Sequence, residues 1–199
     1  MGRNQLKERK TWQDQSGLKA ETAENRFYNV FTKYFVNTDY QIISKPRIFK
    51  DIYCNIQLCP EIMQSIYCPP KMPKHHGIIP DYAILNKKTE KIIFVEVKRQ
   101  DGWVEGKKPS AGRGNAHERA CKLFTPGLLK ILREAGRIND DILPFWVVFQ
   151  GDIARDPKRV REIHCWFGDY RSNFFLWSNQ SSPEKILSHF EKYIKPHLE

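Results

Sequence analysis

Hydrophobic residues recur along the chain with two different periods, and these divide it into expected helices and strands. Leu18, Phe27, Val30, Phe31, Tyr34 and Phe35 share one helical face over residues 18–36, with charges opposite, which predicts an amphipathic helix near the N-terminus. Tyr40–Ser44 predicts a short strand. Residues 45–79 keep neither period and are interrupted by prolines, so a mostly irregular excursion is expected, with a short helix near Glu61–Tyr67. Order returns at Asp81–Leu85 and, after the polar turn Asn86–Glu90, continues over Lys91–Lys98, the pattern of a β-hairpin. Residues 99–114 are glycine-rich and charged and predict a loop. Asn115–Phe124 can begin a helix that Pro126 interrupts, and Gly127–Ala135 can form another. Pro144–Phe149 is a continuous apolar run, as in a central strand buried on both faces. Glu162–Phe167 and Asn173–Trp177 are expected as further strands. The last element is a helix, with Ser182 at its cap, Pro183 in its first turn, and Ile186, Leu187, Phe190 and Ile194 as its apolar face. No internal repeat or linker intervenes. The simplest architecture is therefore α/β: one domain over residues 1–199, a mixed central sheet flanked by helices.

Composition narrows the possible partners. Of 199 residues, 40% are hydrophobic and 28% charged, a globular balance that argues against disorder. Lysine and arginine total 33 against 23 acids, giving +10, which favours a polyanion: nucleic acid first, an anionic membrane surface second. No apolar run approaches the ~20 residues of a membrane helix. The polar segment Met1–Lys10 does not resemble a secretory signal, so a cytoplasmic location is expected. Five cysteines without regular spacing fit reduced thiols. Cys54, Cys59, Cys68, His75 and His76 lack the paired spacing of a zinc knuckle, and Cys121 and Cys165 are expected in the core.

The chemistry is concentrated in PDYAILNKKTEKIIFVEVKRQ, Pro80–Gln100. Asp81 starts the first strand of the hairpin. Glu96 and Lys98 lie two apart on the second, so their side chains point to one side of the sheet. Adjacent carboxylates repel, and a hard divalent cation relieves the conflict; Mg²⁺ suits carboxylate, water and phosphate oxygens. An ammonium beside them can orient a water or stabilise charge on a phosphate under attack. Phosphodiester hydrolysis needs this inventory. A half-buried strand with a solvated charged face would account for Glu-Val-Lys alone; the combination with Pro-Asp and a basic chain favours function.

Asp81, Glu96 and Lys98 match the PD-(D/E)XK nuclease pattern. The string DGWVEGKKPSAGRGNAHERACKLFTPGLLK, Asp101–Lys130, resembles type II restriction endonucleases of the EcoRI and MunI kind, and GNAHER resembles their AATT-reading element. With NDDILPFWVVFQGDIARDPKRVREI, Asn139–Ile163, the likeness is strongest to the MunI type, which reads CAATTG. It is close from about Pro80 to Ile163, weaker from Gln13 to Val30 and in the C-terminal helix, and is not carried by Ile52–Gly77. The resemblance implies a restriction-endonuclease-like core and Mg²⁺-dependent hydrolysis of double-stranded DNA at a palindrome, CAATTG, leaving 5′ AATT overhangs. It further implies a homodimer and a cognate DNA methyltransferase that protects the host. Asp81, Glu96 and Lys98 would be catalytic, with Asp81, Glu96 and Val97 at the metal. Asn115, Ala116, Glu118 and Arg119 would read AATT, and Arg113 the guanine of the outer pair.

The residues of the reading segment suit that role. Asn can contact adenine N6/N7 and Arg guanine O6/N7 in bidentate fashion, Glu118 can accept from an exocyclic amine, and Ala116 can touch a thymine methyl. An Asn-capped helix beside a glycine loop is the plainer alternative. His117 is expected to face backbone or solvent. Lys107, Lys108, Lys158, Arg159 and Arg161 are candidate phosphate contacts, or a solvated basic surface. Trp146, Phe149, Trp166 and Trp177 are expected as strand packing residues. Glu21 and Glu24 could reach the active site from behind the sheet, but a solvated helix face is the expected reading. Two other functions remain open at this point: a catalytically silent sequence-specific DNA-binding protein, and a structure-selective repair nuclease on the same core.

Overall fold

Five strands form one sheet whose spatial order follows the chain: β1 (Tyr40–Ser44), β2 (Tyr82–Asn86), β3 (Ile92–Arg99), β4 (Phe145–Gln150) and β5 (Phe174–Trp177). This is a computed structural model, and it describes residues 21–67, 74–102, 104–107 and 117–199. Strands β1, β2 and β3 pair antiparallel, whereas β3, β4 and β5 pair parallel. Parallel neighbours require a crossover, and helices α3 (Pro126–Gly136) and α4 (Pro157–Phe167) lie in the two connections. Before them come helix α1, described over residues 21–34, and the short α2 (Pro60–Ser65). The chain ends in α5 (Pro183–His189), a wider π turn over Phe190–Ile194 and α6 (Lys195–Leu198). Pro196 cannot donate to the carbonyl one turn back, and the ladder widens just ahead of it.

Alternation along the strands feeds two cores. Ile93, Val95, Trp146, Val148 and Trp177 meet Ala23, Phe27 and Phe31 of α1 and Ile186, Phe190 and Ile194 of the C-terminal helices. Phe94, Phe145, Val147, Phe149 and Phe174 meet Leu128 and Leu132 of α3 and Ile163 and Phe167 of α4. Every residue of β4 is buried, as its unbroken apolar run predicted.

Glu162–Phe167 is helix rather than strand. Ile163, Cys165 and Phe167 mimic strand alternation over six residues, but Val160, Ile163 and Phe167 carry the helical period of a longer element. Its start is well marked: Asp156 accepts from Lys158 N at 3.2 Å, and Pro157 occupies the first turn. Cys165 is therefore exposed on α4 and Cys121 only partly buried, neither being a core thiol. Trp166 belongs to α4, while Trp146, Phe149 and Trp177 are buried strand residues as expected. The excursion between β1 and β2 is largely irregular, and α2 buries none of its residues.

Candidate active site

The hairpin β2–β3 assembles the charged cluster through its register. Tyr82 pairs with Val95 and Ala83 with Phe94, so Asp81, one step before β2, comes opposite Glu96. Glu96 and Lys98 share a face of β3, flanked across the parallel pairing by Val147 and Phe149 of β4. Asp81 Oδ2 accepts from the backbone N–H of Val97 at 2.8 Å and from Lys98 Nζ at 3.3 Å. Lys98 Nζ also donates to Glu96 Oε2. The sequence-predicted trio is thus brought together at one end of the sheet.

The cluster is partly withdrawn from water: side-chain exposure is 18% for Asp81, 8% for Glu96 and 20% for Lys98. Burial pushes the Glu96 carboxyl above its ordinary value; the Lys98 ammonium opposes this, and the Asp81 charge adds to it. Burial pulls Lys98 down, but the Glu96 and Asp81 carboxylates outweigh it and leave its pKa raised. Lys98 is accordingly a fixed cation at neutral pH, shared between two carboxylates.

Among the described residues no three His, Cys, Asp or Glu side chains converge into a preformed cage. The oxygens this site can offer a cation are those of the Asp81 and Glu96 carboxylates, beside Val97, whose own side chain is buried. That set fits Mg²⁺, which binds through one or two carboxylates and takes its remaining ligands from water and substrate phosphate.

Glu24, which could reach the site from behind the sheet but was expected on a solvated helix face, belongs to the surroundings of the cluster. It lies not on the solvated face but at the border of the apolar stripe of α1, beside buried Ala23. Its side chain is 22% exposed and lies 3.9 Å from Lys45 Nζ, and the Lys45 N–H donates to the Asp81 carbonyl at 2.9 Å. Burial raises the Glu24 carboxyl, Asp81 adds to the rise, and Lys45 and Lys98 oppose it. Its position next to the Ala23–Phe27 face was the available signal. Glu21 is exposed, as expected.

Beyond β3 the chain is tied to the β4–α4 connection. Gln100 N donates to Gln150 O at 3.1 Å, Gly102 N to Asp152 Oδ2 at 3.0 Å, and Glu105 N to buried Asp156 Oδ1 at 3.1 Å. Gly151, with φ +88°, is required where the strands approach, since a Cβ there would stand 2.7 Å from the Gln100 carbonyl oxygen. Arg113, Asn115, Ala116 and Lys108 lie outside the described residues. Glu118 and Arg119 are exposed side chains at the start of a 3₁₀ helix, Glu118–Phe124, the described part of the helix expected from Asn115.

His117 does not face solvent. It is fully buried, its ring stacked on Trp166 at 5.1 Å between centroids, with Nε2 2.9 Å from Glu162 Oε2. Burial holds the imidazole below its ordinary range, with the Glu162 hydrogen bond opposing. Lys107 and Lys158 are exposed, as phosphate contacts must be. Arg159 is not: its side chain is 8% exposed, and its guanidinium donates to Glu162 at 2.7 Å. The helical position that puts Lys158 outside turns its neighbour inward. Arg161 is exposed but forms a forked pair with Glu105 at 2.7 and 2.9 Å.

The family model described as RestrictionMunI, type II restriction enzyme MunI, matches residues 1–199. The curated type II restriction enzyme MunI of a Mycoplasma species is 52% identical over 202 residues, covering 100% of both chains. The chain belongs to the MunI family of type II restriction enzymes. The crystal structure of MunI restriction endonuclease in complex with cognate DNA superposes with a TM-score of 0.81 at 52% identity, covering 94% of this chain and 97% of that one. The restriction-endonuclease-like core expected from the sequence is thus the fold, and the MunI-family likeness spans the chain, including Ile52–Gly77, where the sequence motifs do not carry it. As a MunI-family enzyme the chain is a site-specific deoxyribonuclease. Among its described residues no helix is long and apolar enough to cross a membrane.

Proposed function

We propose that this enzyme recognises CAATTG and cuts it to leave 5′ AATT overhangs, as a Mg²⁺-dependent homodimer. A methyltransferase modifying the same sequence would be its partner in the host. The observation that carries the catalytic part is the convergence of Asp81, Glu96 and Lys98 at the open end of one hairpin. The specificity rests on the GNAHER segment with Arg113, and on likeness to MunI.

In this reading Asp81 and Glu96, with the Val97 carbonyl, hold the metal. A bound Mg²⁺ would neutralise charge on the scissile phosphate and acidify a water. Asp81 is aimed by the Val97 N–H, which fixes one carboxylate oxygen and leaves the other for ligation. Lys98 orients the attacking water and stabilises charge growing on the phosphate; its ammonium is already positioned and partly desolvated, so little reorganisation is needed. Asn115, Ala116, Glu118 and Arg119 read the inner four pairs and Arg113 the outer guanine. One Asp81–Glu96–Lys98 centre serves one strand, so two copies related by a two-fold axis match a palindrome.

Digestion of a long sequenced DNA with Mg²⁺, followed by mapping of the ends, tests the reading. Every end should begin with 5′ AATT and lie within CAATTG. Ends at other sequences, or a smear, would overturn the specificity. Sedimentation of the protein on a cognate duplex should show two chains per site.

A further inference from the structure

We propose that His117 and Glu162 form a buried latch that aims the base-reading residues, making His117 a positioning residue for sequence discrimination. The inference rests on the reading of Glu118 and Arg119 as base contacts, and it assigns a part to a residue and a helix outside that reading.

The geometry is that of a fastening. His117 immediately precedes the 3₁₀ helix, and its carbonyl accepts from Ala120 N at 3.1 Å, so its backbone sets the first turn. Its ring points inward while the next two side chains point to solvent. A fixed ring therefore fixes the direction from which Glu118 and Arg119 emerge. The ring is held twice, by stacking on Trp166 and by hydrogen bonding to Glu162. Because Glu162 is a carboxylate it accepts, so Nε2 carries the proton and donates. Arg159 donates to the same Glu162 oxygen and balances its charge. Arg159, Glu162 and Trp166 stand three and then four residues apart, one stripe along α4.

The same helix also fastens the other side of the loop. Asp156, its buried N-cap, accepts from Glu105 N, and Arg161 forks onto the Glu105 carboxylate. The chain thus leaves α4 at Glu105 and returns to it at His117. A single rigid helix of 11 residues, itself packed under β4 through Ile163 and Phe167, carries both ties.

Stability alone does not explain the network. His117 Nδ1 and Arg159 Nε are buried without a hydrogen-bond partner among the described residues. Buried polar groups left half satisfied are worse for stability than an apolar replacement, whereas they can specify one arrangement among several. A leucine at 117 beside Trp166 would pack without that cost and without direction.

The test compares His117→Leu and His117→Gln with the parent enzyme. Cleavage is measured at CAATTG and at duplexes changed by one base pair within AATT, together with thermal unfolding. His117→Leu should lower the ratio of cognate to changed-site kcat/KM at least tenfold while the protein stays folded. His117→Gln, whose amide N–H can reach Glu162, should regain most of the ratio. Should His117→Leu fail to fold, Glu162→Ala reads the same quantity, since Glu162 is 29% exposed and its loss opens no core cavity. An unchanged ratio in whichever variant folds, or equal losses at cognate and changed sites, overturns the latch. A parent enzyme that shows no preference for CAATTG would instead overturn the base-reading assignment beneath it.

Discussion

The hairpin proposed to be catalytic and the segment proposed to read bases are built on opposite principles. In the hairpin, the residues that meet are near in sequence: Asp81 reaches Val97 and Lys98 at separations of 16 and 17 residues, across one turn. Backbone register places them, and side-chain chemistry only finishes the arrangement. The reading segment is held by side chains of a distant helix, with His117 meeting Glu162 at a separation of 45 and Glu105 meeting Asp156 at 51. The lesson is a division of tolerance. A cluster set by strand register survives changes elsewhere, whereas a segment aimed by a few long-range contacts can be re-aimed by changing one of them.

The largest expected effect breaks the comparison at its catalytic side. Asp81→Ala, Glu96→Gln and Lys98→Ala should each lower the cleavage rate by roughly 100- to 1000-fold or more, the scale for losing one preorganised charge at a reacting centre. Preference for CAATTG in a gel-shift assay with Ca²⁺ should remain. Loss of sequence preference along with cleavage would mean that the two regions are not separable.

A second prediction concerns the scaffold both regions share. His189 stacks on Trp146 at 5.5 Å and packs against Phe175 and Tyr193. Burial drives its pKa down to about 4 from 6.5, against a hydrogen bond with the Phe174 backbone. The unfolded chain therefore binds more protons between these values, so stability is full above about 6.5 and falls as pH drops toward 4. The contribution at stake is roughly 3 kcal/mol. His189→Phe should flatten the dependence of unfolding free energy on pH in that window. Catalysis and discrimination should fail together on acidification, because the loss is global. An unaltered acid transition in His189→Phe would place the acid sensitivity elsewhere.

A smaller effect belongs to the reading side. Replacing Arg113 or Arg119 by alanine should cost about 1–3 kcal/mol of discrimination at the pair each one reads. Single-turnover cleavage at saturating cognate DNA should change much less. Competition among CAATTG, GAATTC and AAATTT duplexes separates the two: Arg113→Ala should relax the outer pair alone. Equal weakening on all three duplexes would make Arg113 a phosphate contact.

The same contrast governs what could be read from the sequence. The hairpin was legible because alternation, a polar turn and the spacing of Asp81, Glu96 and Lys98 are local, and β1, β4, β5 and the closing helix followed from equally local patterns. Helix α4 was misread because six of its residues alternate by chance, although Asp156-Pro157 marked its start. Glu24 was assigned to a solvated face because a residue at the border of an amphipathic stripe reads that way until its partner Lys45, beyond β1, is known. His117 escaped because no local pattern announces a partner 45 residues away. Local periodicity finds what the backbone places; it is blind to what distant side chains place.

The smallest predicted effect tests that blindness on adjacent residues. Lys158 and Arg159 are both basic, both in the first turn of α4, and indistinguishable as phosphate contacts in the sequence. The structure exposes the first and buries the second against Glu162. If Lys158 neutralises a phosphate, it releases counterion, and Lys158→Ala should reduce the slope of log affinity against log salt by about 0.9 while weakening all sequences alike. Arg159→Ala should leave that slope unchanged, because a guanidinium engaged within the protein displaces no counterion from DNA. It should instead leave Glu162 without its balancing charge, loosening the hold on His117 and eroding discrimination. Salt titrations on one cognate and one unrelated duplex decide the matter. A slope reduced by Arg159→Ala as much as by Lys158→Ala would mean that Arg159 leaves Glu162 for phosphate when DNA binds, and the division between backbone-placed and side-chain-placed regions would then hold only for the free protein.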